Sequence, residues 1–173
     1  MCGRGPADTR ELTLELAAEM IRLAGAAADA GAARAAAEAA LDSGAAWEKF
    51  LRMVEAQGGD AKLLETPERL HPAPIVSVVP SPASGVVAGC DCFAVGELVV
   101  ALGGGRRAKE DDIDPRVGLV VLKRPGDVVR EGEPLAELHL AGPAPEMVER
   151  AVDCFRVDGA APAAGPLVLE RIG

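Results

Sequence analysis

Prolines at 67, 72, 74, 80 and 82 divide this chain before any other feature does. Each fixes its own φ and removes a backbone donor, so no helix runs through residues 67–82. The residue pattern changes over the same stretch, from alanine-rich helical spacing to the β-branched Ile75, Val76, Val78 and Val79. A helical segment over residues 1–71 and a mixed α/β segment over 72–173 are therefore expected. The fold class is α+β.

The helical segment reads as three helices and two short turns. Pro6 suits a first turn, and Asp8 and Glu11 place negative charge at the positive end of the first helix. Leu12, Leu16, Met20, Leu23 and Ala24 then recur at helical spacing, and Gly25 weakens the end. With nothing ahead of it to cover this stripe, residues 12–24 are expected to present an exposed apolar patch, which favours association. A second helix follows Asp29-Ala30-Gly31 and runs to about Leu41, its alanines favouring close packing. Ser43 is expected to cap a third helix, with Trp47, Phe50, Leu51 and Val54 as its apolar stripe and Gly58 or Gly59 as its stop. Trp47 reads as a core anchor. Asp60 and Thr66-Pro67-Glu68 read as caps of short helical turns.

In the second segment, strands are expected at about 75–80, 85–90, 117–123, 134–140 and 166–171. Asp91 can cap a helix over about 93–102, and a later helix over 144–156 would place Met147, Val148, Ala151 and Phe155 on one face. Pro125-Gly126-Asp127 and Glu131-Gly132-Glu133 read as turns.

The stretch with the most chemical character lies between these strands. Leu98-Val99-Val100-Ala101-Leu102 runs into Gly103-Gly104-Gly105, and Arg106, Arg107 and Lys109 follow directly. Three glycines allow positive φ and close approach of a neighbour, so the stretch reads as a helix stop opening into a basic loop. Such a loop can close on an anion or on another domain. Glu110-Asp111-Asp112 counters the basic residues, and a locally paired or solvated turn is the simpler expectation for this chain alone.

The 173 residues carry a net charge of −9, against the concentrated basic face that nucleic-acid binding requires. No apolar run reaches the roughly 20 residues that span a bilayer. Met1-Cys2-Gly3-Arg4 does not open a signal peptide, so the cytoplasm is the expected compartment. The cysteines at 2, 90, 92 and 154 form no CxxC pair, and His71 and His139 are the two histidines. Free thiols, no metal and no cofactor are expected.

Ser84-Gly85-Val86-Val87-Ala88-Gly89-Cys90-Asp91-Cys92 ahead of the glycine loop, Ile113-Asp114-Pro115-Arg116-Val117-Gly118 after it, and Arg124-Pro125-Gly126-Asp127-Val128-Val129-Arg130-Glu131-Gly132 beyond occur in one order. In that order they resemble the C-terminal domain of the thymidine and pyrimidine-nucleoside phosphorylases. The resemblance extends upstream through Gly5-Pro6-Ala7-Asp8 and Trp47-Glu48-Lys49-Phe50, and reaches Pro166-Leu167-Val168-Leu169-Glu170. It implies that residues 1–71 are the end of the family's large α/β domain and residues 72–173 its C-terminal domain.

The resemblance further implies reversible phosphorolysis of thymidine or deoxyuridine, with phosphate and a pyrimidine nucleoside as the partners of the complete, homodimeric enzyme. The family's phosphate loop, substrate contacts and cation site belong to its N-terminal part, so no catalytic residue is expected in this chain. Gly103, Gly104, Gly105, Arg106, Arg107 and Lys109 are expected to form a loop that meets the opposite domain as the cleft closes. Gly126-Asp127, Val129, Gly132 and Leu135 are also similar to the hairpin of biotinyl and lipoyl carriers, which implies a barrel-sandwich, hammerhead-like sheet. The carrier turn itself is missing, and no modification of Lys109 is expected. A non-catalytic binding or carrier-like module is the alternative reading.

Overall fold

The computed structural model describes residues 5–70, 72–160 and 165–172. Two compact units result, Met1–Pro67 with Gly165–Gly173, and Glu68–Ala164. Cys2 and His71 lie outside the described residues.

The first unit is built on α1 (Ala7–Leu23), α2 (Ala30–Asp42) and α3 (Ala45–Ala56), followed by the short 3-10 helix Ala61–Glu65. The Asp29 carboxylate accepts from the Ala32 N–H at 2.8 Å and so starts α2. Third-helix capping differs from the sequence expectation: Gly44, in the left-handed region, is the cap residue, and the Ser43 hydroxyl accepts from Ala45 N–H at 3.4 Å. Trp47 and Phe50 meet at a ring-centroid distance of 5.7 Å with their planes tilted by 34°, yet no residue of α3 is fully buried. Trp47 is thus a half-buried anchor.

The α1–α2 pair buries Leu14 and Ala18 on one helix and Ala33 and Ala37 on the other. The stripe expected from periodicity faces away, with Leu16 59% and Met20 71% exposed. Leu14 is two residues from both Leu12 and Leu16, hence about 200° around the helix. An alanine surface admits a close neighbour, so α2 takes the leaner face of α1 and leaves the leucine-rich face to solvent. Leu14→Ala is expected to cost about 2–3 kcal/mol, and Leu16→Ala less than about 0.5 kcal/mol, in paired denaturant melts. Ion pairs fasten the same helices: the Arg34 guanidinium of α2 donates across to Glu11 at 2.6 Å and to Glu15 at 3.3 Å, and within α2 to Glu38 at 2.8 Å. The hydrogen bond from Arg34 holds the Glu11 carboxyl below the usual carboxylate range. Arg171 of the C-terminal stretch pairs with Glu15.

Residues 166–171, expected as a strand, contain none. Pro166 lacks a donor, and the stretch clusters with the helical unit, which offers no sheet edge to pair with.

The second unit contains two three-stranded antiparallel sheets. One has the order β1 (Ile75–Pro80), β5 (Pro134–Leu140), β3 (Gly118–Val121); the other has β4 (Val128–Val129), β2 (Gly85–Cys90), β6 (Phe155–Asp158). Ile75 pairs with Leu140 and Val79 with Ala136 in the first, Cys90 with Phe155 in the second. Alternation along β5 sends Ala136, Leu138 and Leu140 inward, where they meet Val79, Val87, Leu98, Val129 and Phe155 in one core. Two helices, α4 (Cys92–Ala101) and α5 (Pro145–Asp153), close it through Leu98 and Ala151.

Sequence periodicity missed β4 and β6. β4 is two residues long, and β6 begins at Phe155, which the periodicity had assigned to α5. Pairing with β2 takes Phe155 out of the helix. The Arg124–Asp127 turn has Pro125 at its second position and Gly126 at φ +99° at its third, and Asp127 N–H donates to Arg124 C=O at 3.0 Å. That turn needs a residue tolerant of positive φ, and glycine supplies it.

Candidate functional site

The glycine loop begins as the cap of α4. Gly104 N–H donates to Val99 C=O at 2.9 Å and Gly103 N–H to Val100 C=O at 3.1 Å, with Gly103 at φ +96°. This pair of crossed bonds is a Schellman motif, which satisfies carbonyls that the helix end would otherwise leave open. Gly104 and Gly105 are glycine for a second reason. A Cβ on Gly104 would stand 2.8 Å from Val99 Cγ1, and one on Gly105 would stand 2.7 Å from Val100 Cγ2. The loop therefore folds back over the last turn of its own helix.

Beyond the glycines, Asp111 organises the tip. Its carboxylate accepts from the N–H groups of Arg107 and Ala108, both at 2.9 Å, and its carbonyl accepts from Arg106 Nε at 3.1 Å. The two backbone donors hold the Asp111 carboxyl below the usual carboxylate range. Asp111→Asn is expected to speed hydrogen exchange at the Arg107 and Ala108 amides without moving the global melt. A fall in pH through the depressed folded-state pKa should have the same effect on those amides.

Farther along, Asp114 N–H donates to Gly103 C=O at 2.9 Å and Arg116 grips the Asp114 carboxylate through Nε and Nη2 at 2.9 and 2.8 Å. The stretch from 103 to 116 is thus tied at both ends and at its tip. Arg106, Arg107 and Lys109 are exposed upon it. Neither Arg107 nor Lys109 has an ion-pair partner among the described residues. The six residues singled out from sequence fall in one loop, glycines at its root and cations at its tip. From sequence Asp111 reads only as a counter-charge. Its position after two arginines could not show that its oxygens face backbone donors.

Cys90 ends β2, Cys92 opens α4 and Cys154 follows α5; all three are free thiols, and burial pushes Cys90 and Cys154 up. Among the described residues, no group of three or more His, Cys, Asp or Glu is placed to hold a metal. None of their helices is long and apolar enough to cross a membrane.

A six-strand α+β unit whose second sheet strand leads through a capped helix into this loop is the setting in which sequence comparison becomes specific. Residues 86–158, from β2 to β6, match the family model of the pyrimidine nucleoside phosphorylase C-terminal domain. The chain matches the C-terminal portion of the thymidine and pyrimidine-nucleoside phosphorylase family. Thymidine phosphorylase of Burkholderia cenocepacia (strain HI2424) is 45% identical over 171 residues, 96% of this chain and 39% of that protein. That of Agrobacterium fabrum is 43% identical over 173 residues, 97% of this chain and 40% of the relative. Pyrimidine-nucleoside phosphorylase of Staphylococcus haemolyticus is 41% identical over 137 residues, 79% of this chain and 32% of the relative. The chain spans about two fifths of the length of the first two.

Proposed function

We propose that this chain serves as the C-terminal part of a pyrimidine-nucleoside phosphorylase, a cytoplasmic pentosyltransferase. The observation that carries the reading is the 45% identity over 171 residues to a thymidine phosphorylase. In the proposed reaction a phosphate oxygen attacks the anomeric carbon of thymidine or deoxyuridine while the bond from that carbon to the base nitrogen breaks. The electron pair leaves with the base, which takes up a proton, and 2-deoxyribose 1-phosphate is the other product. Such chemistry needs an anion site and charge stabilisation at the leaving base. We assign both to the portion of the relatives that this chain does not match, and none to its own residues.

The chain's own contribution is cleft closure. A closing element needs a firm root and a polar tip, and the loop combines a hydrogen-bonded helix cap with the exposed cations Arg106, Arg107 and Lys109. On this reading the closing domain lies within residues 72–173, and residues 1–71 belong to the large domain. Two three-stranded sheets around one core support a barrel-sandwich framework. Complete relatives would act as homodimers.

Thymidine phosphorolysis, followed by absorbance of the released base, tests the reading with the purified chain and with a separately expressed upstream portion of a related phosphorylase. Turnover is expected only when the two are mixed, and arginine-to-alanine changes at 106 and 107 should then change kcat or KM. Turnover by the chain alone would relocate the catalytic groups. No turnover from two pieces that co-purify would overturn the assignment.

A further inference from the structure

Helix α4 carries an interior glycine that the packing of this chain does not explain. Gly96 lies in the middle of Cys92–Ala101, and a Cβ built on it would meet nothing within 4 Å. Glycine weakens a helix interior relative to alanine, so a residue whose side chain would enter open space leaves room for something outside the chain. Phe93, three residues earlier and 75% exposed, and Val100, four residues later, share that face.

These residues line a hollow of about 630 Å³, together with Glu97 of the same helix, Arg107 of the glycine loop and Arg150 of α5. The volume lies within the usual range for small-molecule sites. Among the described residues neither guanidinium is in an ion pair within 4 Å, although the Arg107 charge helps to lower the Asp111 carboxyl; Arg150 Nη1 makes a 3.7 Å contact to Met147 Sδ. Two exposed arginines thus border an apolar, aromatic floor on a chain whose net charge is −9.

The geometry points to a binding site for a nucleoside monophosphate. A flat base can lie over Gly96 against the Phe93 ring, and a phosphate, dianionic or nearly so at neutral pH, suits two guanidiniums that offer paired N–H donors. Glu97 selects the spacer between them. Its carboxylate repels a ligand that brings acceptors alone and accepts from the hydroxyls of a ribose. Floor, rim cations and rim anion thereby each have a counterpart in one ligand. This site shares Arg107 with the proposed closing loop but takes no part in the bond-breaking step, and its test reads binding rather than turnover.

The full chain, labelled with ¹⁵N, is titrated with uridine 5′-monophosphate, uridine and inorganic phosphate while amide shifts are followed. The nucleotide should give saturable shifts at Phe93, Gly96, Glu97, Val100 and Arg107, with uridine and phosphate each at least about tenfold weaker. Arg107→Ala with Arg150→Ala should weaken nucleotide binding at least about tenfold and leave the melting temperature in place, since both side chains are on the surface. The proposal is overturned by equal shifts from phosphate alone, by wild-type binding in the double variant, or by no saturation at roughly 10 mM nucleotide. None of those results would bear on the complementation assay for phosphorolysis.

Discussion

Leu138→Ala is expected to destabilise the second unit by about 2–5 kcal/mol, the range for removing a buried leucine side chain. Leu138 has 0% exposure and sits in the central strand of its sheet, opposite Ser77 on one side and Leu119 on the other. Its neighbours on the same face, Ala136 and Leu140, are equally enclosed, and backbone pairing on both flanks fixes β5. The walls therefore cannot collapse into the space, and the cavity term is added to the lost transfer energy. For a cooperative unit of this size each kcal/mol lowers the melting temperature by about 4–8 °C. Val120→Ala on the neighbouring strand, at a site 46% exposed, is the control. Calorimetry showing equal losses for the two would contradict the assigned facing of the sheet.

The second large effect is expected at the root of the loop, where Gly103→Val should cost about 1–3 kcal/mol. Gly103 adopts φ +96°, a region in which a β-branched side chain collides with its own backbone. Relief of that strain would rotate the Gly104 N–H away from Val99 C=O and the Gly103 C=O away from Asp114 N–H, both now at 2.9 Å. Helix end and loop root would loosen together. Faster amide exchange should then appear at Gly104 and Asp114, accompanied by the loss in the melt. Gly118→Ala offers the contrast, because Gly118 has no positive φ and a Cβ there meets nothing within 4 Å. If Gly103→Val were as mild as that change, the helix-cap account of the glycines would be wrong. In the mixed phosphorylase assay the same variant should impair turnover if the loop closes the cleft from a firm base.

Local chemistry made much of this protein legible from its sequence. The prolines between 67 and 82 forbid a continuous helix through that stretch whatever surrounds them, and the β-branched run after His71 becomes β1. Asp91 caps α4 through bonds of 3.0 Å to Phe93 and Ala94, using atoms three residues apart or fewer. The order of the glycine loop and its flanking motifs was enough to indicate the family, since sequence order survives without knowledge of contacts.

Tertiary structure decided what depends on a distant partner. Periodicity placed a leucine stripe on α1, but the alanine face of α2 selected Leu14 and Ala18 because small residues allow close helix approach. Phe155 fitted a helical face until β2 offered it hydrogen bonds, and residues 166–171 had strand-like composition without a sheet edge to join. The hollow beside α4 gathers Phe93, Arg107 and Arg150 from three separate stretches, so only its interior glycine left a trace in the sequence. Caps, turns and breaks are short-range and were written in the residues themselves; facing, pairing and the grouping of charges are long-range, and the packed chain settled them.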